Sequence, residues 1–253
     1  MFSLFVRRGA PSPPDMAASG PADIRVRGIF SFLAGRYDLF NALASMGMDR
    51  GWRTKAAGLA RSAVKKGSYV LDLCAGTGDL AIEVASMDRH IRIEALDFCP
   101  EMIEIGKRKA RARGFDGRIA WTEGDAADMP YADGTFDAVT CGFALRNMSK
   151  DLDRVFAESC RVLKAGGTMI ALDLTRPRGR VRSMLHRIYL KCALPVIGFI
   201  IYGKTSPFKY LGDSISGFYP AEEVRAKFLN AGFRECGYEP AGFGAAGIYT
   251  AVK

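Results

Sequence analysis

Residues 70–79 read Val-Leu-Asp-Leu-Cys-Ala-Gly-Thr-Gly-Asp, an apolar strand that ends in a turn of small residues. Gly76 and Gly78 let the backbone bend sharply and approach a ligand closely. An acidic residue, Asp97, follows Gly78 after nineteen positions, at the end of the next apolar run. An acid at that place can accept hydrogen bonds from both hydroxyls of a ribose. The spacing therefore predicts a site for a nucleoside cofactor.

The turn differs from the Gly-x-Gly-x-x-Gly turn of dinucleotide enzymes, which directs the amino end of a helix at a pyrophosphate. Here Asp79 follows Gly78 and brings a carboxylate into the predicted first turn of the helix. S-adenosylmethionine has a sulfonium and an amino acid group in place of phosphates, so it tolerates that carboxylate better. The sequence therefore favours S-adenosylmethionine over NAD, with a plain connection between strand and helix as the alternative for the turn alone.

From Tyr69 onward, short β-branched runs alternate with amphipathic stretches, which is typical of an open, mostly parallel sheet with helices on both faces. The last two apolar runs predict an antiparallel pair at the sheet edge. The predicted strands cover Tyr69–Leu73, Ile91–Leu96, Arg118–Glu123, Phe136–Cys141, Thr168–Leu174, Phe233–Glu239 and Gly247–Val252, and the predicted helices Leu80–Ser86, Pro100–Arg113, Asp151–Leu163 and Pro220–Ala231.

The length of 253 residues and a hydrophobic content of 49% predict one domain with small appendages. Residues 1–23 carry four prolines and no usable periodicity, so we expect a disordered extension, with an organelle transit peptide as the less favoured alternative. Residues 24–253 form the predicted folded domain, in which residues 24–66 are a helical cap.

The formal net charge of +9 suits an anionic partner, either nucleic acid or a phospholipid surface. The basic run at residues 107–113 is expected to be a solvated helix face. Six cysteines without a Cys-x-x-Cys pair indicate reduced, buried thiols in a cytosolic protein. Only two histidines occur, far apart in the sequence, so no metal site is expected.

Ligands of such sheets bind beyond the carboxyl ends of the strands, where several polar or small residues of this chain fall. Asp97 is predicted to hold the ribose diol, with helix capping as the alternative. Asp125 can accept from the amino group of adenine while the amide of Ala126 donates to the ring. An ordinary Asx-turn is the alternative at Asp125.

The same edge offers groups for the reactive end of the cofactor. The charge of Asp72 would favour a sulfonium and an ammonium, and Thr77 can donate its hydroxyl or amide to a carboxylate. Gly142 leaves room for a methyl group to reach its acceptor. In the next loop, the guanidinium of Arg146 would lower the pKa of a neighbouring phenol, and the amide of Asn147 could orient that phenol. An arginine paired with a surface acid is the alternative.

Several short blocks of the chain occur together, in the same order, in one known family. They are Tyr37–Asn41 with Ser45 and Trp52, Leu71–Leu73, Gly76–Asp79, Leu145–Asn147, Arg161–Gly167, Tyr210–Leu211 and Ser214–Ile215. On these blocks the chain from about Ile29 to Lys253 resembles the UbiE-type C-methyltransferases of ubiquinone and menaquinone biosynthesis. It departs from the family at Asp173, among other positions, where members usually have Glu.

The resemblance implies a Rossmann-like class I S-adenosylmethionine-dependent methyltransferase with a mostly parallel seven-stranded sheet. Among its implications, Arg146 and Asn147 face a prenylated quinol, and residues 175–219 are a lipophilic insertion that covers this acceptor. The cofactor contacts that it implies are Thr77, Asp97, Asp125, Ala126 and Gly142. The reaction expected is methylation of a ring carbon of demethylmenaquinol or of 2-methoxy-6-polyprenyl-1,4-benzoquinol, with Tyr37, Asp49, His186, Tyr202 or a water as the proton acceptor.

Residues 192–202 are continuously apolar, too short to span a bilayer, and interrupted by Pro195 and Gly198. They are expected to line a lipid tunnel or to touch a membrane surface, which makes the protein cytoplasmic or peripheral at the membrane. A buried helix or a contact in a homodimer is the alternative.

Other functions remain as alternatives at this level. One is methylation of another lipid or of a small aromatic molecule, and another is a lipid-binding scaffold that has lost turnover. Nucleic acid is not expected as a partner, because the chain lacks an aromatic and basic platform on which bases could stack.

Overall fold

The computed structural model describes residues 28–253, so the predicted extension at residues 1–23 lies outside the described residues. One sheet of seven strands forms the centre, in the order β3-β2-β1-β4-β5-β7-β6. Its first five strands are parallel, and β7 runs antiparallel to both β5 and β6. The strands are β1 (Tyr69–Leu73), β2 (Arg92–Asp97), β3 (Ile119–Glu123), β4 (Phe136–Gly142), β5 (Leu163–Leu174), β6 (Glu235–Ala241) and β7 (Ala246–Val252).

Residues 28–33 are helical and lead through a 3-10 turn at Ala34–Arg36 into the first labelled helix. A π-helical turn, Tyr189–Ala193, joins α6 and α7 into one helix over Arg180–Tyr202. The helices are α1 (Tyr37–Ala44), α2 (Met48–Ala63), α3 (Asp79–Met87), α4 (Pro100–Ala112), α5 (Leu152–Val162), α6 (Arg180–Ile188), α7 (Leu194–Tyr202), α8 (Ser206–Gly217) and α9 (Ala221–Asn230).

The predicted α/β architecture is confirmed, and most element bounds agree within two residues. The exception is β5, which begins at Leu163 rather than at Thr168. Leu163 pairs with Phe136, the register then shifts, and regular pairing with β4 resumes at Thr168. The left-handed backbone of Gly166 (φ 73°) accommodates this irregularity. The final two strands form the expected antiparallel pair at one edge of the sheet, with β6 outermost.

Two hydrophobic layers cover the sheet. Because side chains alternate along a strand, neighbouring residues of β1 enter opposite layers. Leu71 packs with Phe156 and Phe228 from α5 and α9, whereas Val70 packs with Leu80 of α3 and with Trp52 of α2. Helices on both faces leave the carboxyl ends of the parallel strands as the free edge where a ligand can bind.

The described part of the predicted cap packs against the predicted insertion. Phe40 of α1 and Leu33 share a buried cluster with Leu194 of α7 and Phe208 of α8. The hydroxyl of Tyr202 donates to the carbonyl oxygen of Leu33 at 2.7 Å. The cap and the insertion therefore meet over one end of the sheet.

The expectation of six buried thiols was wrong for two of them. Cys192 is exposed on the long helix and Cys74 is partly exposed, whereas the other four cysteines are buried. Cys192 lies within an apolar run, but that run has one outward side. Apolar neighbours in the sequence therefore do not decide which side of a helix faces the core.

Candidate active site

The turn after β1 uses left-handed backbone at three positions, Cys74 (φ 54°), Gly76 (φ 56°) and Gly78 (φ 77°). A β-carbon on Gly78 would lie 2.5 Å from the Trp121 ring, so glycine is required there for space as well as for conformation. Cys74 adopts this conformation without the freedom of glycine, which costs about 1–3 kcal/mol. Strain of this kind is concentrated at functional sites.

Asp97 lies at the end of β2 and is 5% exposed. One carboxylate oxygen accepts the amide of Gly76 at 2.7 Å, and the other accepts the amide of Cys99 at 2.9 Å. Burial raises its pKa. The contact to Cys99 forms a turn just before α4, and the N-cap residue of α4, Cys99, has no side-chain capping hydrogen bond, so the alternative of a capping aspartate is not realised. The ribose contact stays a prediction, which is compatible with this geometry because each carboxylate oxygen can accept two hydrogen bonds.

Asp125 follows β3 and forms an Asx-turn, in which its carboxylate accepts the amide of Ala127 at 2.8 Å. This is the alternative that the sequence left open. Ala126 is 7% exposed. The second carboxylate oxygen of Asp125 is not used by this turn, so the predicted adenine contact remains a prediction.

Asp72 of β1 is a buried acid, with 1% exposure. Its Oδ1 accepts the hydroxyl of Thr140 at 2.7 Å, whereas its Oδ2 is buried and has no partner among the described residues. Burial raises the pKa of Asp72 to about 7. A buried oxygen without a partner is costly, so a cationic ligand at this edge would satisfy it. The site therefore fits the positive end of S-adenosylmethionine.

Thr77 contacts the helical cap. Its hydroxyl donates to Asp38 at 2.7 Å, and Lys109 donates to Asp38 at 2.6 Å and to Thr77 at 3.1 Å. The Lys109 side chain is only 19% exposed, so the expectation of a solvated helix face was wrong for this residue. The predicted contact of Thr77 with the methionine carboxylate stays a prediction, and its hydroxyl is shared with Asp38.

Asp79 begins α3, as the sequence predicts, and it is paired with two cations. Lys109 donates to one of its oxygens, and the Arg53 guanidinium lies 3.7 Å from the other. The turn therefore does not carry an isolated negative charge. For this reason, Asp79 alone is a weaker argument against a dinucleotide than the sequence indicated.

Gly142 ends β4 against the first turn of α3. A β-carbon there would lie 3.2 Å from Cδ2 of Leu80, tighter than ordinary contact. The next residue, Phe143, is a second strained non-glycine residue (φ 61°). The small size of Gly142 is thus needed for packing, and its predicted role in leaving room for the methyl group remains a prediction.

Arg146 lies in a 3-10 turn, Leu145–Met148, and forms a buried ion pair. Its Nη1 donates to Asp173 Oδ1 at 2.6 Å and to the carbonyl oxygen of Phe143 at 2.5 Å. Its backbone amide donates to Asp173 Oδ2 at 2.9 Å. The side chains of Arg146 and Asp173 are 5% and 0% exposed. The alternative of a surface pair is therefore wrong, because the acid is buried and belongs to β5.

A cavity of about 30 Å³ lies between the cap and this turn. Arg146 and Asn147 form its polar wall, and Asn147 Oδ1 is buried without a partner among the described residues. The volume is that of about one water, so an aromatic ring can enter only if the cap or insertion moves. The rest of the lining is Ile29, Phe30, Leu33, Tyr37, Phe40, Asn41, Phe208, Tyr210 and Leu211.

Of the four side chains considered as proton acceptors, only Tyr37 lines this cavity. Asp49 is bonded to Ser45 at 2.6 Å and to Arg53, and Tyr202 donates to a backbone carbonyl. His186 lies on α6, where burial lowers its pKa.

Sequence patterns assign no role to four residues that the structure brings to the site, namely Asp38, Lys109, Asn41 and Asp173. Asp38 and Asn41 lie in the Tyr37–Asn41 block, but a block alone does not say which side chain turns inward. Lys109 is one cation in a basic run, and its partners are distant in sequence. Within residues 28–253, no group of three histidine, cysteine or acidic side chains could hold a metal ion.

Comparison with known proteins gives a consistent result. The sequence profile of the ubiE/COQ5 methyltransferase family matches residues 19–253. A demethylmenaquinone methyltransferase of Deinococcus radiodurans is 37% identical, over 90% of this chain and 92% of that protein. The ubiquinone/menaquinone biosynthesis C-methyltransferase UbiE of Geobacter sulfurreducens is also 37% identical, over 90% of this chain and 88% of that protein.

Among solved structures, a SAM-dependent methyltransferase from Thermotoga maritima superposes with a TM-score of 0.59. The two chains are 18% identical, and the aligned part comprises 89% of this chain and 99% of the Thermotoga chain. A likeness at this identity establishes the fold, and it confirms the predicted Rossmann-like class I methyltransferase architecture.

Proposed function

The chain belongs to the ubiE/COQ5 methyltransferase family and is an S-adenosylmethionine-dependent methyltransferase, and on this basis we propose that it methylates a ring carbon of a prenylated quinol. The observation that carries the choice of acceptor is the cavity, in which Arg146 and Asn147 face a lining that is otherwise largely apolar and aromatic. One relative is named a demethylmenaquinone methyltransferase and the other a ubiquinone/menaquinone biosynthesis C-methyltransferase, so we propose either a naphthoquinol or a benzoquinol as the acceptor.

S-adenosylmethionine supplies a sulfonium-bound methyl group that a nucleophile can attack. We propose that Asp97 holds its ribose, Asp125 and Ala126 its adenine, and Thr77 its carboxylate. The free Oδ2 of Asp72 would meet the positive end. Gly76, Gly78 and Gly142 would allow the backbone to approach the cofactor closely.

The chain must then align the quinol ring, exclude water and stabilise phenolate character. Nε of Arg146 is buried and has no partner among the described residues, so it is a charged donor available to a phenolate oxygen. The Asn147 Oδ1 can accept a ring hydroxyl. We propose that Tyr37, which lines the cavity, takes part in proton transfer. Asp173 keeps the guanidinium in place.

The prenyl tail of such an acceptor partitions into lipid. We therefore propose a cytoplasmic protein that works at a membrane surface. Among the described residues, the helix Arg180–Tyr202 is long and apolar enough to cross a membrane by length and composition.

The test is an assay of purified protein with labelled S-adenosylmethionine and demethylated naphthoquinols and benzoquinols of several tail lengths. Mass spectrometry of the extracted lipid should show the mass of one added methyl group on carbon. If methylation occurs only on another lipid or a small aromatic molecule, the proposed acceptor is wrong. If the cofactor binds and no acceptor is methylated, the scaffold alternative holds.

A further inference from the structure

The long helix Arg180–Tyr202 carries an apolar face that no other part of the described range, residues 28–253, covers. Its exposed apolar side chains recur at intervals of three or four residues, so they lie on one side of the helix. We call this set the outer stripe, and each member is more than half exposed. The outer stripe consists of Val181, Met184, Leu185, Ile188, Val196, Phe199 and Ile200.

The same helix has a separate face that packs inward. Leu190, Leu194 and Ile201 are buried against Phe40 of α1 and Phe208 of α8. The outer stripe is therefore additional to the face by which the helix joins the fold. The helix Arg180–Tyr202 therefore differs from an ordinary buried helix, because it has an exposed apolar face as well as a buried one.

Helix α1 extends the apolar surface. Its side chains Leu39 and Leu43 are 53% and 50% exposed, and Met46 just beyond it is 76% exposed. The hydroxyl of Tyr189 on the long helix donates to the carbonyl oxygen of Ala44, which brings the end of α1 against that helix. An apolar surface this large is unusual on a protein that meets only water.

The charges along the segment that carries the stripe have one sign. Between Asp173 and Asp213 the sequence contains eight lysines and arginines and no acid. At about 100° per residue, Arg180 and Arg187 lie along one border of the stripe and Arg182 along the other. All three are exposed. Cations at both borders of an apolar face are the arrangement of a helix that lies in the surface of an anionic membrane.

A second cavity, of about 540 Å³, lies at the start of this helix. Arg176, Arg178 and Arg182 contribute to its lining, and so does Phe243, which is 84% exposed. Arg178 is paired with Glu222, which leaves part of the positive charge for a ligand. The size and charge of this cavity suit a phosphate-bearing headgroup, and an exposed aromatic ring suits the interface.

We propose that the outer stripe lies in the surface of a membrane containing anionic phospholipids, with the bordering arginines at the level of the headgroups. A second copy of the chain fits less well, because a two-fold contact across the stripe would bring arginines of the two copies together. This inference rests on the helix and its charges, independently of which acceptor is methylated.

Under the proposed function, the membrane-facing position of the helix Arg180–Tyr202 places the acceptor cavity close to the lipid. The helix that would rest on the lipid packs by its other side on Phe40 and Phe208, which line the cavity beside Arg146. One helix, about 10 Å across, therefore separates the membrane from the acceptor cavity. A prenylated ring could move from the bilayer past this helix without its tail entering water.

The first test is flotation of the full chain with vesicles of neutral phosphatidylcholine or of phosphatidylcholine with about one third phosphatidylglycerol. We expect binding to the anionic vesicles that weakens as salt is added. The variant Phe199→Ser/Ile200→Ser should lower the partition coefficient at least tenfold, on the order expected for two apolar side chains. Leu229→Ser, which changes a 46% exposed leucine on α9, is the matched control and should bind like the unchanged chain.

The second test separates charge from apolar contact. Arg180→Gln/Arg187→Gln should weaken binding to anionic vesicles about 25-fold, with little change on neutral ones, because each of the two cations near such a surface contributes about 1 kcal/mol, roughly a factor of five. Arg108→Gln/Arg113→Gln removes two exposed cations from α4 and its end, and should have the smaller effect. Equal losses in the two variants would mean that net charge alone attracts the protein, and would overturn the docking surface.

Three further results would overturn the inference. The first is failure of the unchanged chain to bind anionic vesicles at low salt. The second is resistance of the membrane-bound protein to extraction by alkaline carbonate, which would mean a spanning helix. The third is a dimer in sedimentation that dissociates in the variant Phe199→Ser/Ile200→Ser. Turnover of a short-tailed, water-soluble quinol separates docking from chemistry. It should be unchanged in that variant, while turnover of vesicle-embedded quinol falls.

Discussion

Asp173 holds Arg146 by two hydrogen bonds, one to the guanidinium at 2.6 Å and one to the backbone amide at 2.9 Å. Both groups are buried, and the pair joins the end of β5 to the turn after β4. This arrangement fixes the direction of the guanidinium. It also means that loss of either partner leaves a buried charge.

Replacing Arg146 should separate a structural from a catalytic effect. Arg146→Ala leaves Asp173 buried and unpaired, so we expect a loss of about 3–5 kcal/mol in stability together with loss of turnover. Adding Asp173→Asn removes the charge and keeps an oxygen for the amide, so stability should largely return while turnover stays absent. Denaturant melts and a methyl-transfer assay check this. Recovery of activity in the double variant would show that Arg146 acts only through folding.

Cofactor affinity in these variants is the further control. Calorimetry should give nearly unchanged binding of S-adenosylmethionine to the double variant, since neither residue is assigned to the cofactor. A large loss of affinity would contradict the placement of Arg146 beside the acceptor.

Asp97→Ala should weaken cofactor binding before it affects chemistry, by about 100-fold or more, because each of the two ribose hydrogen bonds to a charged group contributes about 1.5–3 kcal/mol. It also removes an acceptor for the amides of Gly76 and Cys99, so some stability will be lost. Asp88→Ala is the matched control, because Asp88 likewise accepts the amide two residues later, at 2.8 Å from His90. That variant should lose stability and keep its affinity. Unchanged affinity in Asp97→Ala would refute the ribose contact.

Asp72 should make stability depend on pH. Burial raises its pKa to about 7, above the value near 3.9 in an unfolded chain. As pH rises from about 4 to about 7, the unfolded chain ionises first, so the folded state loses stability, at most on the order of 4 kcal/mol. Above pH 7 the loss is constant.

Asp72→Asn removes this penalty. Its melting temperature should exceed that of the unchanged chain at pH 8 and match it near pH 4, while its affinity for S-adenosylmethionine at pH 8 should fall about tenfold or more. Asp116→Asn, which alters an exposed acid, controls for the change in formal charge. A melting difference that is the same at both pH values would contradict the buried titration.

Lys109 should hold the cap on the cofactor turn. Lys109→Met removes contacts to Asp38, Thr77 and Asp79, so amides of α1 should exchange with deuterium faster, while those of β1 do not change. Lys107→Met is the matched control. Lys107 pairs with Glu104 on the exposed side of the same helix, and such surface pairs contribute about 0–1 kcal/mol. Equal exchange in α1 of both variants would show that the cap is held by its apolar contacts alone.

The sheet was predictable because its signals are local. The runs around Val70 and Ile93 are apolar and β-branched, and each is followed by a turn or a helix signal, so period and spacing suffice. The acids at the strand ends followed from the same pattern. Asp97 and Asp125 lie where the sequence places them, although each also shapes its own turn.

The other half of the site depends on contacts that are distant in sequence. Asp173 reaches Arg146 because β4 and β5 are neighbours in the sheet, and Lys109 reaches Asp38 from 71 positions away. No local pattern distinguishes these side chains from surface charges. The sequence also did not predict which side of the long helix carries the exposed outer stripe, because an apolar run does not show which of its sides packs against the cap.

The hydrogen bond between Thr77 and Asp38 joins the turn after β1, at the cofactor site, to helix α1 of the cap, beside the acceptor cavity. If the carboxylate of S-adenosylmethionine accepts a hydrogen bond from Thr77, it competes with Asp38 for that hydroxyl. Binding of the cofactor then weakens a contact that holds the helical cap over the acceptor cavity. Steady-state kinetics should therefore be sequential and interdependent, with each substrate changing the apparent Michaelis constant of its partner. The cofactor site and the acceptor cavity would then be coupled through the hydroxyl proton of Thr77.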